Sequence, residues 1–164
     1  MNYLHHYKSP LGGITIASDG EALIGLWFDG QKYFADTIDE TAREKSLPIF
    51  KLADKWLDIY FSGVEPDFTP PLKMNTTAFR KAVCEIMLSI PFGQTMTYGE
   101  IAQKIAAQRR VKKMSAQAVG GAVGHNSISL IIPCHRVVGA GGNLTGYAAG
   151  VNKKIKLLEL EGIK

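Results

Sequence analysis

The sequence is poor in the features that mark secreted, membrane-spanning and disordered proteins. Two cysteines among 164 residues are too few for a disulfide framework. No apolar run approaches the roughly 18 residues that a membrane-spanning helix needs, and the N-terminal residues lack the basic and apolar stretches of an export signal. Hydrophobic residues make up 46% of the chain, too many for a disordered protein. We therefore expect a cytoplasmic globular protein without a membrane anchor, whose two thiols stay reduced.

Acidic residues are scarce in the second half of the chain. Residues 1–75 carry 7 Lys and Arg against 11 Asp and Glu, whereas residues 76–164 carry 12 against 4. Clustered cations bind phosphates because binding releases counterions. The pattern predicts that the second half binds a polyanion, although a solvated basic surface without a partner fits the charge equally well.

The first half predicts an α/β domain. Residues 13–17 and 22–28 flank an Asp-Gly turn, which is typical of a β-hairpin. A helix is predicted over 48–61, with an apolar stripe facing the core at Leu52, Trp56 and Tyr60. Residues 62–75 contain three prolines and read as a linker. We therefore place a domain boundary near residue 75, between domains 1–75 and 76–164.

The second half begins with a predicted helix over 76–90, in which Cys84 is interpreted as a small buried hydrophobic residue. Two short helices, 98–106 and 115–123, lie on either side of a stretch with four cations at positions 109–113. Two short helices around a connection suggest a helix-turn-helix. Close packing of small residues inside the protein is the alternative. A last helix is predicted over 153–161, capped by Asn152.

A reactive group follows the apolar residues 129–132, which read as a short buried strand. Cys134, His135 and Arg136 are consecutive, and a neighbouring base or cation favours the nucleophilic thiolate. Adjacent side chains of a strand point to opposite faces, so a turn at Pro133 is needed to bring the thiol and the imidazole into one site. A buried cysteine beside a surface histidine is the alternative. The Cys and His residues are too few and too scattered for a zinc site, and we expect no metal and no cofactor.

Together these residues resemble the O6-alkylguanine-DNA alkyltransferases, also called methylated-DNA–protein-cysteine methyltransferases. Pro133-Cys134-His135-Arg136-Val137 is the hallmark of that family. The order of motifs supports it: Ile-Pro-Phe-Gly-Gln at 90–94, Thr-Tyr-Gly-Glu-Ile-Ala at 97–102, Ala-Val-Gly-Gly-Ala at 118–122 with Asn126, Gly-Tyr at 146–147 and Leu-Leu-Glu-Leu-Glu-Gly at 157–162. The resemblance is dense over 76–162 and loose over 1–75. It implies a ribonuclease-H-like α/β N-terminal domain and a mainly α C-terminal domain with a helix-turn-helix of the winged-helix type.

The family resemblance also implies a function. Such a protein binds double-stranded DNA from the minor-groove side, flips an O6-alkylguanine out of the duplex and transfers the alkyl group irreversibly to its cysteine, once per molecule. O4-alkylthymine is a further substrate that the sequence leaves open. We expect a monomer, with cooperative binding on DNA also left open.

By resemblance, individual residues take defined roles. Cys134 is the alkyl acceptor, His135 is its base and acts through a water, and Glu161 orients that histidine. Asn126 braces the turn before the active-site strand. Tyr98 donates a proton or a hydrogen bond towards guanine N3. The pocket residues implied are Val137, Ala148, Tyr147 and Ser129, with the carbonyls of Cys134 and Val137 accepting from the guanine amino group and the N–H of Ala148 donating to O6. The DNA-binding residues implied are Ser115, Gln117, Ala118, Arg136, Arg109, Arg110, Lys112 and Lys113.

Three positions depart from the family pattern. Gln117 stands where the family usually has the arginine that fills the space of the flipped base. Ser129 stands where many relatives have proline, and Ala148 where they have serine. We expect weaker support for base flipping or a different efficiency of the search along DNA, and the size of adduct that the pocket accepts stays open.

Three other functions compete with this interpretation. A lesion-binding protein of the alkyltransferase-like type is disfavoured by the presence of Cys134, although Gln117 keeps it open. A cysteine hydrolase would use Cys134 and His135, but the sequence shows no oxyanion hole. A plain helix-turn-helix regulator would not need the Pro-Cys-His-Arg-Val segment.

Overall fold

A computed structural model describes residues 2–36, 38–144 and 146–163. The chain divides into two units, one taking in the residues up to Asn75 together with Ser127–Ser129, the other Thr76–Asn126 and the residues from Leu130 onward. Among the described helices, none is long and apolar enough to cross a membrane.

The first unit is built on a four-stranded sheet in the order β3-β2-β1-β4. Its strands are β1 (Tyr3–Ser9), β2 (Gly12–Ser18), β3 (Leu23–Phe28) and β4 (Arg43–Glu44). β1, β2 and β3 pair antiparallel, and the short β4 pairs parallel with β1. The predicted hairpin is confirmed as β2 and β3. β1 was not predicted, because its mostly polar sequence shows no apolar alternation.

Helix α1 (Pro48–Phe61) covers this sheet and has the predicted bounds. Trp56 and Tyr60 are buried as predicted, whereas Leu52 is 41% exposed. Each step of four residues turns a helix 40° past a full circle, so a row of i+4 residues drifts off the buried face. Leu52 therefore lies beyond the edge of the face that packs on the sheet.

Two segments outside the named strands extend β3. Leu23 N–H donates to Pro71 O (2.8 Å), and Lys73 N–H donates to Leu23 O (2.9 Å). Leu26 N–H donates to Ser127 O (2.8 Å), and Ser129 N–H donates to Leu26 O (2.9 Å). Leu72 and Ile128 thus form parallel bridges with β3, so the proline-rich linker does make sheet hydrogen bonds.

The second unit is mainly helical. Its helices are α2 (Ala78–Leu88), α3 (Tyr98–Arg109), α4 (Ala116–Gly124) and α5 (Val151–Leu160), and its two-residue strands β5 (Met96–Thr97) and β6 (Val137–Val138) pair parallel. Thr77 caps α2 by accepting from Arg80 N–H (3.2 Å), and Ser115 caps α4 by accepting from Ala118 N–H (3.2 Å). The sequence offers Asn75, Thr76 or Thr77 as the cap of α2 and Ser115 as the cap of α4; the structure selects Thr77 and confirms Ser115.

Three local predictions in this half of the chain are wrong. Residues 129–132 are buried but form a turn instead of a strand, with Leu130 at φ 71°. α3 continues to Arg109, so the first of the clustered cations lies on the helix. α5 begins after Gly150, whose φ of 100° suits an entry that glycine makes without strain, and Asn152 lies inside its first turn.

Candidate active site and nucleic-acid interface

Cys134 begins a short 3-10 turn, Cys134–Arg136, which we call the cysteine turn. Its N–H donates to Ile132 O (2.8 Å), and Arg136 N–H donates to Pro133 O (3.0 Å). Cys134 is buried at 5% exposure. The chain therefore turns at Pro133, as a site shared by the thiol and the imidazole requires. Because Cys134 and His135 lie in a turn, their side chains do not alternate as they would along a strand.

Asn126 supports the approach to the cysteine turn. Its buried Nδ2 donates to Ile132 O at 2.8 Å, two residues before Cys134. Since a buried carbonyl needs a partner, this bond fixes the path of the backbone just before the thiol. The position agrees with the bracing role implied by the resemblance.

His135, Arg136 and Glu161 form one buried cluster. His135 Nε2 lies 2.6 Å from Glu161 Oε2, and both side chains are fully buried. Arg136 Nε donates to Glu161 Oε1 (2.8 Å) and Nη2 to Oε2 (3.3 Å), while Gly93 N–H donates to Oε1 (3.0 Å). Glu161, the residue after α5, thus accepts hydrogen bonds from three other residues.

These bonds decide the charge of Glu161. Burial opposes ionisation of the carboxyl group, but the hydrogen bond and charge of His135, the hydrogen bond of Arg136 and that of Gly93 outweigh it and lower the pKa of Glu161 to about 2. A carboxylate can only accept hydrogen bonds. His135 Nε2 therefore carries its hydrogen towards Glu161, which makes Nδ1 the basic nitrogen.

Burial also decides the charge of His135. Complete burial lowers the pKa of its imidazole, Glu161 raises it, and the charges of Arg136 and Lys154 lower it. The net direction is downward, so the imidazole is neutral near neutral pH. A neutral imidazole with its Nδ1 unprotonated is able to accept a proton from a thiol.

The placement of Arg136 corrects one sequence expectation. Arg136 was expected at the DNA surface, but it is buried at 8% exposure. Besides Glu161, its Nη1 donates to Ile90 O (2.7 Å), and its guanidinium stacks 5.7 Å from the centre of the Phe92 ring. A buried guanidinium whose donors bond to protein atoms is not available to a phosphate, so Arg136 is a partner of Glu161.

The residues expected to line a pocket come from several parts of the chain. Tyr98 begins α3 and is half-buried, and burial followed by the charge of Cys134 raises the pKa of its hydroxyl. Tyr147 and Ala148 are half-buried and precede α5. Val137 follows the cysteine turn and is fully buried. Ser129 belongs to the first unit, where its N–H donates to Leu26 O of β3 (2.9 Å).

The second cysteine is part of the core. Cys84 lies on α2 and is buried at 5% exposure. Burial, followed by the charges of Cys134 and Glu85, raises the pKa of its thiol to about 12. Cys84 is therefore a protonated, unreactive thiol, as predicted.

The residues expected to bind DNA, apart from Arg136, share one exposed stretch. This stretch covers the end of α3, the connection and the start of α4, and all seven are exposed: Arg109, Arg110, Lys112, Lys113, Ser115, Gln117 and Ala118. Arg110 ends α3 in the left-handed conformation, at φ 55°. The guanidinium of Arg109 lies 5.1 Å from the centre of the Phe79 ring. This stretch presents four cations to solvent beside a helix N-terminus, a surface suited to phosphates.

Two features of the site were not found from the sequence. Gly93 adopts φ 83°, and a Cβ there would lie 3.3 Å from Glu161 O, so this turn packs directly on the end of α5. Lys154 is completely buried, and the sequence analysis assigned it no role. Its spacing is a signal of burial: Lys154 precedes Leu157 and Leu158 by three and four residues, so all three lie on one face of α5.

Comparisons with known proteins agree with the division of the chain and with the fold of its two parts. A family model described as the DNA-binding domain of 6-O-methylguanine DNA methyltransferase matches residues 78–163. A second, described as the ribonuclease-like domain of the same protein, matches residues 2–74. The α/β first unit is therefore ribonuclease-like, as expected.

Individual relatives match along nearly the whole chain. The methylated-DNA–protein-cysteine methyltransferase of Mycobacterium tuberculosis is 42% identical over 162 residues, which cover 95% of this chain and 92% of the relative. That of Haemophilus influenzae is 39% identical, covering 98% and 87%. Among solved structures, M. tuberculosis OGT in complex with DNA has a TM-score of 0.84 at 40% identity, covering 97% and 92%. An O6-methylguanine DNA methyltransferase from Methanococcus jannaschii has a TM-score of 0.63 at 30% identity, covering 98% and 94%. By sequence and by fold, this chain belongs to the 6-O-methylguanine DNA methyltransferase family.

Proposed function

We propose that this chain repairs duplex DNA by moving an alkyl group from O6 of guanine to Cys134, once per molecule. The observation that carries the proposal is the cysteine turn, in which Cys134 is followed by His135. The neutral imidazole of His135 is held through its Nε2–H by an ionised Glu161 at 2.6 Å. Nucleophile, base and orienting carboxylate have the logic of a catalytic triad. The names of the relatives supply the substrate class.

The alkyl transfer is a single displacement at the alkyl carbon, in which sulfur replaces O6 of guanine. Nδ1 of His135 takes the thiol proton through a water, and the sulfur of Cys134 forms a bond to the alkyl carbon while the carbon–O6 bond breaks. The electron pair leaves with guanine, and a hydrogen bond from the Tyr98 hydroxyl towards N3 stabilises the departing anion. The raised pKa of Tyr98 keeps this hydroxyl protonated. The product is a thioether, which has no leaving group that would restore the thiol, so each molecule acts once.

DNA binding belongs to the exposed stretch from Arg109 to Ala118. α3 and α4 serve as a helix-turn-helix of the winged-helix type, and α4, whose exposed face has small side chains, enters the minor groove. The four cations contact phosphates. A base inside a duplex is out of reach of a buried thiol, so the guanine must flip out, which costs a few kcal/mol of stacking and pairing. The acting unit is a monomer.

An intact-mass experiment tests the proposal. The protein is incubated with a duplex that carries one O6-methylguanine, and the expected result is the mass of one added methyl group, never more than one. Cys134→Ala should gain nothing, whereas Cys84→Ala, the matched control, should gain one methyl group. The same duplex with O4-methylthymine tests the second substrate.

Other outcomes would contradict the proposal. Tight binding to the lesion with no gain in mass would indicate a lesion-binding protein. Restored guanine in excess of the protein would indicate a hydrolase that turns over. A methyl group on the protein that survives in Cys134→Ala would show that another residue is the acceptor.

Gln117 gives a further prediction about the flipping step. Gln117 is exposed on the first turn of α4 and carries no charge, whereas an arginine can fill the vacated space and also contact phosphates. Gln117→Arg should speed repair of duplex substrate several-fold. Single-turnover rates on duplex DNA and on the same lesion in a single strand measure this, since only the duplex requires flipping. An equal rate for both proteins on the duplex would show that residue 117 does not limit flipping.

A further inference from the structure

Lys154 is a buried charged residue that the proposed transfer does not use. It lies on the first turn of α5 and is completely buried, whereas its neighbour Lys156 is exposed. Lysines are almost never fully buried unless they are paired, because the ammonium loses its hydration. A position where methionine or leucine would fit an amphipathic helix instead holds a cation, which calls for a reason.

The ammonium of Lys154 joins two segments around the cysteine turn. Its Nζ donates to Val137 O at 2.6 Å and to Gly146 O at 3.1 Å. Val137 immediately follows the turn, and Gly146 precedes Tyr147 and Ala148 in the glycine-rich segment before α5. One side chain therefore fixes the backbone on both sides of the region expected to receive guanine. Lys154 also donates to the carbonyl of Val137, which by resemblance accepts a hydrogen bond from the guanine amino group.

Lys154 and Cys134 are electrostatically coupled. Burial lowers the pKa of Lys154, and a negative charge on Cys134 raises it. Electrostatic coupling between two sites is reciprocal, so a cation at Lys154 favours the thiolate of Cys134. Two further ionisable groups couple to Cys134, the Tyr98 hydroxyl and the Cys84 thiol, and burial raises the pKa of both. His135 and Arg136 also lie in this cluster, and both pair with Glu161.

We propose that Lys154 is a positioning residue of the alkyl transfer, whose ammonium holds the carbonyls of Val137 and Gly146 in place and stabilises the Cys134 thiolate. The proposal rests on the function proposed above. It assigns the buried cation a task that a purely structural lysine would lack, namely control over the ionisation of the acceptor.

The first test compares the pH dependence of the transfer. Lys154→Met keeps most of the length of the side chain without its charge, and Lys156→Met is the matched control on the same helix. In Lys154→Met the acid limb of the single-turnover pH–rate profile should move to higher pH by about one unit, which is about a tenfold loss of rate on that limb. Lys156→Met should follow the wild type. A slower Lys154→Met protein whose acid limb has not moved would show that the lysine only supports the fold, and this would overturn the proposal.

The second test needs neither transfer nor a folded Lys154 variant. The wild type and Cys134→Ser are labelled with ¹³C at lysine Cε, and the Lys154 signal is titrated by NMR without DNA. Since serine removes the thiolate, Lys154 should lose its proton at lower pH in Cys134→Ser. An identical Lys154 titration in both proteins would overturn the proposal. If instead the wild type takes no methyl group from DNA, the proposed function fails while this titration still decides the coupling.

Discussion

Replacing Arg136 by methionine should lower the free energy of unfolding by about 3–5 kcal/mol, because it leaves the buried Glu161 carboxylate without its charged partner. Arg136 donates to both carboxylate oxygens and to Ile90 O. Methionine fills part of the space against Phe92 but donates nothing. Urea unfolding followed by far-UV circular dichroism measures the loss, since most helices lie in the second unit.

The pH dependence identifies the origin of that loss. In the wild type Glu161 is ionised down to about pH 2, whereas in an unfolded chain an ordinary glutamate protonates near pH 4.3. The interactions of the Glu161 carboxylate therefore stabilise the folded protein fully at pH values above the pKa of glutamate in the unfolded chain. This stability is lost as the pH falls towards the pKa of Glu161 in the folded protein. The cost of Arg136→Met should be greatest at neutral pH and should shrink in acid, where Glu161 becomes neutral in the variant.

Two control proteins sharpen the comparison. Arg109→Met removes an exposed arginine of the same unit and should change stability by less than about 1 kcal/mol. The double variant Arg136→Met/Glu161→Gln removes both charges and should recover part of the loss, because no charge is then left buried alone. If the double variant were as unstable as the sum of the two single variants, the guanidinium would act through packing and not through its charge.

The sequence predicts elements that depend on residues close together in the chain. The β2–β3 hairpin follows from an Asp-Gly turn between apolar runs, and the caps at Thr77 and Ser115 bond to N–H groups three residues away. The start of α1 follows from the proline at its first position. In each case the partners are visible within a few residues, so local patterns are sufficient.

Elements that depend on distant partners are not predictable in this way. Residues 129–132 look like a strand, but the partner of Ile128 is Leu26, about a hundred residues earlier, and the chain turns at Leu130. Arg136 looks like a DNA contact because it is a cation in a basic half, but its partner Glu161 is 25 residues away. Lys154 is likewise a cation in the basic half, yet it is completely buried. Sequence shows the charge of a residue, whereas its burial depends on what folds around it.

Replacing His135 by glutamine should slow alkyl transfer by about 10²–10⁴-fold, the range that a general base contributes. Glutamine places an amide N–H near the position of Nε2, so the hydrogen bond to Glu161 is retained. It has no nitrogen at the position of Nδ1, so the base is lost. The substitution thus separates the chemical role of His135 from its structural role. Single-turnover rates on duplex O6-methylguanine measure the effect.

The pH dependence of this deficit distinguishes a base from a scaffold. A thiol with no base ionises by itself as the pH approaches its own pKa, which is about 8.5 for an unperturbed cysteine. The deficit of His135→Gln should therefore shrink as the pH rises from 6 to 9. His6→Gln, which changes an exposed histidine of the first unit, should react like the wild type. A deficit that stayed constant over this range would mean that His135 positions the thiol without removing its proton. A rate within about threefold of the wild type at neutral pH would exclude His135 as the base.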